Sequence, residues 1–134
     1  MKIVFDTNVL ISVTQWDGSV AQKLLFILIK QNLKIYSSTQ IILEYQKVLK
    51  RDFEYTEGEI AHMMEKVLHF ITLVEPTKKI NLVKEDPEDN HIIECAIESQ
   101  AQYIIAYDND LLRIKEYNGI KIITPETALK ITFS

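Results

Sequence analysis

The sequence runs to 134 residues, 47% hydrophobic and 25% charged, with a net charge of −4, the balance of a globular chain long enough to bury a core. No apolar run approaches the roughly 20 residues that span a bilayer, the N-terminus lacks the pattern of a signal peptide, and a single cysteine, Cys95, excludes an internal disulfide and fits a reducing compartment. The expectation is one domain over residues 1–134, cytoplasmic and free of the membrane.

Strands and helices alternate along the chain. Residues 2–5 read as a short buried strand that stops on Asp6-Thr7-Asn8. A helix over 19–30 follows, because Ser19 with Gln22 makes a capping box ahead of the run "AQKLLFILIK". A second strand covers 33–37, and Ser38 caps a helix to about residue 50 with Ile41, Ile42, Tyr45 and Leu49 at helical spacing. Thr56 with Glu59 opens a further capped helix to about residue 70, and a third strand covers 71–75. Asp86-Pro87 marks a helix start, with Asp86 as cap and Pro87 at the first helical position, and Ile92, Ile93, Ala96 and Ile97 on the buried side. Strands at 103–107 and 120–124 follow, and Thr124-Pro125 begins a last helix.

Strands separated by helices predict an α/β fold, a parallel sheet covered on both faces. None of the three glycines lies in a phosphate-cradling loop, which removes most support for nucleotide binding. Lysines gather at Lys30, Lys34, Lys47 and Lys50 with Arg51, and again at Lys78, Lys79 and Lys84; alone they read as solvated surface. His62, His69 and His91 have no spacing that suits zinc, and Cys95 reads as core.

The acids are the informative residues. Asp6 and Asp108 end the first and fourth strands, Asp89 lies in the first turn of the helix before strand four, and Glu44 leans in from the helix after strand two. With the strand order 3-2-1-4-5, strands one and four are neighbours where the order reverses, and ligands bind at such a point. Each acid has a local explanation as well. Asp6 can make an Asx-turn with Asn8 as a cap, Asp89 can complement the helix dipole, Asp108 can cap "NDLLRI", and Glu44 can face solvent. Taken together they favour a site, because carboxylates crowded into one crevice repel unless a cation or protons join them. An oxygen-only donor set suits Mg²⁺ or Mn²⁺.

"VFDTNVLIS", "SSTQIILEY", "DPEDNHIIECAI" and "YIIAYDNDLL" together resemble the PIN-domain family over nearly the whole chain, and are similar to its VapC-like toxin group. The resemblance implies a three-layer α/β/α sandwich with a five-stranded parallel sheet in the order 3-2-1-4-5. It implies a Mg²⁺- or Mn²⁺-dependent ribonuclease whose acidic quartet is Asp6, Glu44, Asp89 and Asp108, with Thr7, Asn8, Ser38 and Asp110 as auxiliaries. In the family pattern a small residue stands seven places after the third acid; Asp89 and Ala96 fit, which leaves Asp86 as the cap. Asp6, Asp89 and Asp108 would hold one ion, with Glu44 completing its shell through water or binding a second. Water would cleave RNA to leave a 5′-phosphate and a 3′-hydroxyl, with Lys47, Lys50 and Arg51 drawing in the backbone. The implied partners are an RNA substrate, an antitoxin covering the groove, and a second copy of the chain in a homodimer.

Two alternatives stay open: a catalytically silent RNA- or partner-binding module on the same fold, and a phosphohydrolase using Asp6 as nucleophile. "FILI" at 26–29 suits either core or a subunit interface. Trp16, in "TQWDGS", suits base stacking, an interface, or a plain anchor for its loop.

Overall fold

The computed structural model describes residues 1–84 and 86–131; the end of the expected domain, 132–134, lies outside the described residues. Strand β1 (Lys2–Phe5) occupies the middle of the sheet, parallel to β2 (Lys34–Ser38) on one side and to β4 (Tyr103–Ile105) on the other. Outside β2 lies β3 (Ile71–Val74), and outside β4 lies β6 (Ile120–Ile123), both parallel to their neighbours. The expected 3-2-1-4-5 order of parallel strands is therefore present. The sheet carries one strand more than expected. The two-residue β5 (Glu116–Tyr117) pairs antiparallel with β6, giving the order β3-β2-β1-β4-β6-β5. Between them Asn118 and Gly119 both take positive φ, 50° and 82°. Two such residues make the type I′ turn whose twist matches a hairpin.

Successive residues of β1 point to opposite faces and feed two cores. Ile3 and Phe5 join the cluster formed with α1 (Thr7–Gln15), α2 (Val20–Lys30), α3 (Thr39–Asp52), α4 (Glu57–Leu68) and α7 (Pro125–Lys130). Val4 joins the cluster under α5 (Asp89–Ser99) and α6 (Asn109–Leu112). A sheet apolar on both faces needs helices on both, and that produces the three layers. Cys95 is fully buried under α5, as expected of a core residue, and burial pushes its thiol up to about 12. Among the described residues no helix is long and apolar enough to cross a membrane.

Helix α1 is absent from the predicted elements. Its sequence "VLISV" is rich in β-branched residues, which favour strands. Tertiary burial of Val9, Leu10, Ile11 and Val13 outweighs that preference, and the cap is Asp6, whose side chain accepts from the Val9 N–H at 2.7 Å, rather than Asn8. Helix α5 also begins later than expected. Residues 86–88 form a turn, with the Asp89 N–H bonded to the Asp86 carbonyl at 3.0 Å, and the helix proper starts at Asp89. The expectation of Asp86 as cap and Pro87 as first helical residue is thereby corrected. In "FILI" only Leu28 is buried; Phe26, Ile27 and Ile29 are exposed.

The connection from β3 to α5 contains no helix or strand in its described residues, 75–84 and 86–88. Side chains along one stripe of α5 tie it down. Glu98 accepts from the Thr77 N–H at 2.9 Å, and Glu94 from the Ile80 N–H at 2.9 Å. Asn90 accepts from the N–H groups of Leu82 and Val83 at 3.0 and 2.9 Å, and donates to the carbonyls of Val83 and Pro87 at 2.9 and 3.1 Å. Spacing of i, i+4 and i+8 puts the three side chains on one face. The end of this connection thus arrives beside the C-terminal edge of β1.

Candidate functional site

A crevice opens at the carboxyl ends of β1 and β4, where the strand order reverses. Its walls carry Asp6, Glu44, Asp86, Glu88, Asp89 and Asp108.

Asp6 forms the floor. It is 2% exposed, and both its oxygens are occupied. Oδ1 caps α1, and Oδ2 accepts from the N–H groups of Tyr107 at 2.9 Å and Asp108 at 3.1 Å. Burial pushes its pKa up to about 6 even though these three N–H bonds hold it down. By gripping the chain after β4, Asp6 sets the position of Asp108.

Asp108 caps α6, accepting from the N–H groups of Asp110 at 2.8 Å and Leu111 at 3.4 Å. Capping and the site are therefore not exclusive, for Asp108 also offers an oxygen to a cluster. One carboxylate oxygen each from Asp86, Asp89 and Asp108 lies within 4.8 Å of the other two. Among the described residues, Asp89 Oδ2 is buried with no hydrogen-bond partner. Burial first, and then the facing Asp108, push the pKa of Asp89 up to about 8. Also in the crevice, Glu44 on α3 has its pKa raised to about 7, by burial and by the neighbouring Glu88 carboxyl.

The sequence-predicted quartet of Asp6, Glu44, Asp89 and Asp108 thus shares one crevice. Thr7 and Asn8 line it as well, while Ser38 lies fully buried as the cap of α3, accepting from the Ile41 N–H at 3.4 Å. Asp110 does not line the crevice; it pairs with Arg113 on an adjoining surface. Of the three basic candidates, Arg51 lines the crevice, where it is bonded to Asp52; Lys47 and Lys50 are not among the lining residues, though Lys47 faces Glu88 at 4.0 Å. His91, two residues after Asp89 on α5, is part of the wall.

Asp86, read from the sequence as the cap, and Glu88 also line the crevice; their signal in the sequence is three acids within the four residues Asp86 to Asp89.

A divalent cation fits this donor set. The donors of the Asp86–Asp89–Asp108 group are all oxygen, and the orphaned Asp89 oxygen is the atom a cation would satisfy.

Residues 2–110 match the family model described as "PIN domain". The uncharacterized protein MJ1680 of Methanocaldococcus jannaschii is 29% identical over 122 residues, covering 88% of this chain and 77% of that protein. The structure of VapBC2 from Rickettsia felis bound to a DNA fragment from their promoter contains a chain similar in fold, with a TM-score of 0.66 at 14% identity, covering 91% of this chain and 97% of that one. VapBC-1 from nontypeable Haemophilus influenzae matches with a TM-score of 0.66 at 17% identity, over 94% and 99%. PAE2754 from Pyrobaculum aerophilum matches with a TM-score of 0.60 at 15% identity, over 97% and 94%.

Proposed function

The chain belongs to the PIN-domain family, and from that premise we propose that it is a Mg²⁺- or Mn²⁺-dependent ribonuclease, hydrolysing phosphodiester bonds of RNA as the toxin of a toxin–antitoxin pair. The observation that carries the proposal is the convergence of Asp86, Asp89 and Asp108 around a buried, unpartnered carboxylate oxygen. Asp89 and Asp108 would hold the ion, with Asp86 as third donor in the place expected for Asp6, whose oxygens accept backbone N–H bonds, and with Glu44 in the same crevice. When bound, the ion supplies positive charge that offsets the carboxylates, lowers the pKa of water and neutralises charge developing on a phosphate.

The chain's own residues do the rest. Asp6 fixes the loop that presents Asp108. Glu44 lines the same crevice and would add its carboxylate to the ion's surroundings. Arg51 and Lys47 offset part of the wall's negative charge and favour approach of the RNA backbone. Asp6 is poorly suited to be a phosphohydrolase nucleophile, since both its oxygens already accept backbone N–H bonds. No acid is missing that would favour a silent module.

The VapBC complexes of similar fold support an antitoxin partner for this chain, one that covers the groove. The exposed Phe26, Ile27 and Ile29 of α2 support self-association, which light scattering after size-exclusion chromatography would test. For the activity, labelled RNA pools are incubated with MgCl₂ or MnCl₂, with EDTA, and with the Asp89→Asn and Asp108→Asn variants. Internal cuts carrying 5′-phosphate ends are expected only for wild type with metal. Cleavage that persists in EDTA, or at full rate in both variants, would refute the proposal.

A further inference from the structure

We propose that the aromatic cleft beside the crevice, walled by Trp16, Phe53 and Tyr107, is a stacking subsite for a base of single-stranded RNA next to the scissile phosphate; this rests on the ribonuclease reading of the crevice. Trp16 follows the last turn of α1 and is 53% exposed, an uncommon position for the largest apolar side chain. It is nevertheless held in place. Its backbone N–H bonds to the Ser12 carbonyl at 3.3 Å, and its ring meets Phe53 edge-on, with centroids 5.8 Å apart and planes at 63°. Below the rings, Ile11 and Val48 form an apolar floor, and the cleft encloses about 430 Å³.

Continuity with the crevice identifies the occupant. Asn8, Val48 and Asp52 line both cavities, so a chain whose phosphate sits among the carboxylates passes its neighbouring base directly over the aromatic walls. Arg51 stands on the crevice side of that junction. The exposed Asn8 carboxamide can both donate to and accept from a base edge. Aromatic faces hold any base by stacking, with little sequence preference. The occupant favoured here is a base because the cleft runs into the acidic crevice through Asn8, Val48 and Asp52.

Trp16 is the only tryptophan in the sequence, so intrinsic fluorescence reports on this cleft and cleavage reports on the carboxylates. A mixed-sequence decaribonucleotide is titrated into wild type with MgCl₂, fluorescence is followed, and cleavage is measured on the same samples. Saturable quenching is expected. Trp16→Ala should raise KM at least about fivefold, as stacking on one aromatic side chain implies, with kcat largely kept and with Trp16→Phe restoring KM; circular dichroism confirms that both variants fold. Cleavage with no fluorescence change, and an unaltered KM in Trp16→Ala, overturns the subsite while leaving the nuclease intact. Quenching without cleavage supports the subsite and rejects hydrolysis. No quenching and no cleavage rejects both, and quenching by a protein partner but not by RNA assigns the cleft to that partner and overturns the proposal.

Discussion

Replacing Asp89 with asparagine should raise the melting temperature of the metal-free protein. The carboxyl is buried against Asp108, and its pKa is moved from 3.8 to about 8, so at neutral pH folding must take up a proton or bear the repulsion. From 3.8 to pH 7 is about three units, or about 4 kcal/mol at 1.36 kcal/mol per unit. Water reaching the mouth of the crevice screens its neighbours and brings the penalty to about 2 kcal/mol. For a chain of this length that corresponds to about 8 °C. The sign follows from linkage: the folded state holds the extra proton, so the penalty is absent below about pH 4, grows as pH rises, and levels off above about pH 8. The variant's advantage should therefore shrink steadily as the pH is lowered from 8 to 4. Added MnCl₂ should reverse the order, since a ligand at a hundredfold excess over Kd adds about 2.7 kcal/mol to wild type, and the variant should lose most of that gain. Thermal unfolding followed by circular dichroism, across pH and with and without MnCl₂, measures all three. A metal-free variant melting below wild type at pH 7, or a wild type indifferent to MnCl₂, would refute the repelling-carboxylate account.

Asn90→Ala leaves the N–H groups of Leu82 and Val83 without their acceptor, and should cost about 3 kcal/mol and weaken the MnCl₂ response by loosening Asp86, both read by thermal unfolding with and without metal. Cys95 should resist alkylation in the native state at pH 8, since its thiol is buried and pushed up to about 12, and should react at once in denaturant; rapid native labelling, seen by mass spectrometry, would contradict its place in the core.

Several elements were legible because their signals are local. Ser38, Thr56 and Thr124 each cap the helix they were expected to open, and Thr56 with Glu59 forms the full capping box. Ser19 caps α2 as expected, though the Gln22 side chain accepts from the Gly18 N–H instead of closing the box. The Asn118-Gly119 turn is an equally local signal, but the β5 strand it serves is only two residues long, too short to show a strand pattern. Helix α1 was hidden by its β-branched residues, whose preference gives way only once the sheet is there to bury them.

The sequence by itself determined the alternation of strands and helices, and placed acids at the ends of the first and fourth strands, since caps, turns and apolar runs act over three or four residues. Only the tertiary structure decided which acids meet. Asp6 binds the N–H of Asp108 across 102 positions, a contact that exists because β1 and β4 pair. Asp86, read locally as a cap, reaches the cluster because Asn90, Glu94 and Glu98 hold the β3–α5 connection against α5. Charge repulsion and burial act through space, so the same carboxylate can cap a helix and line a crevice, and only the folded chain shows that Asp108 does both.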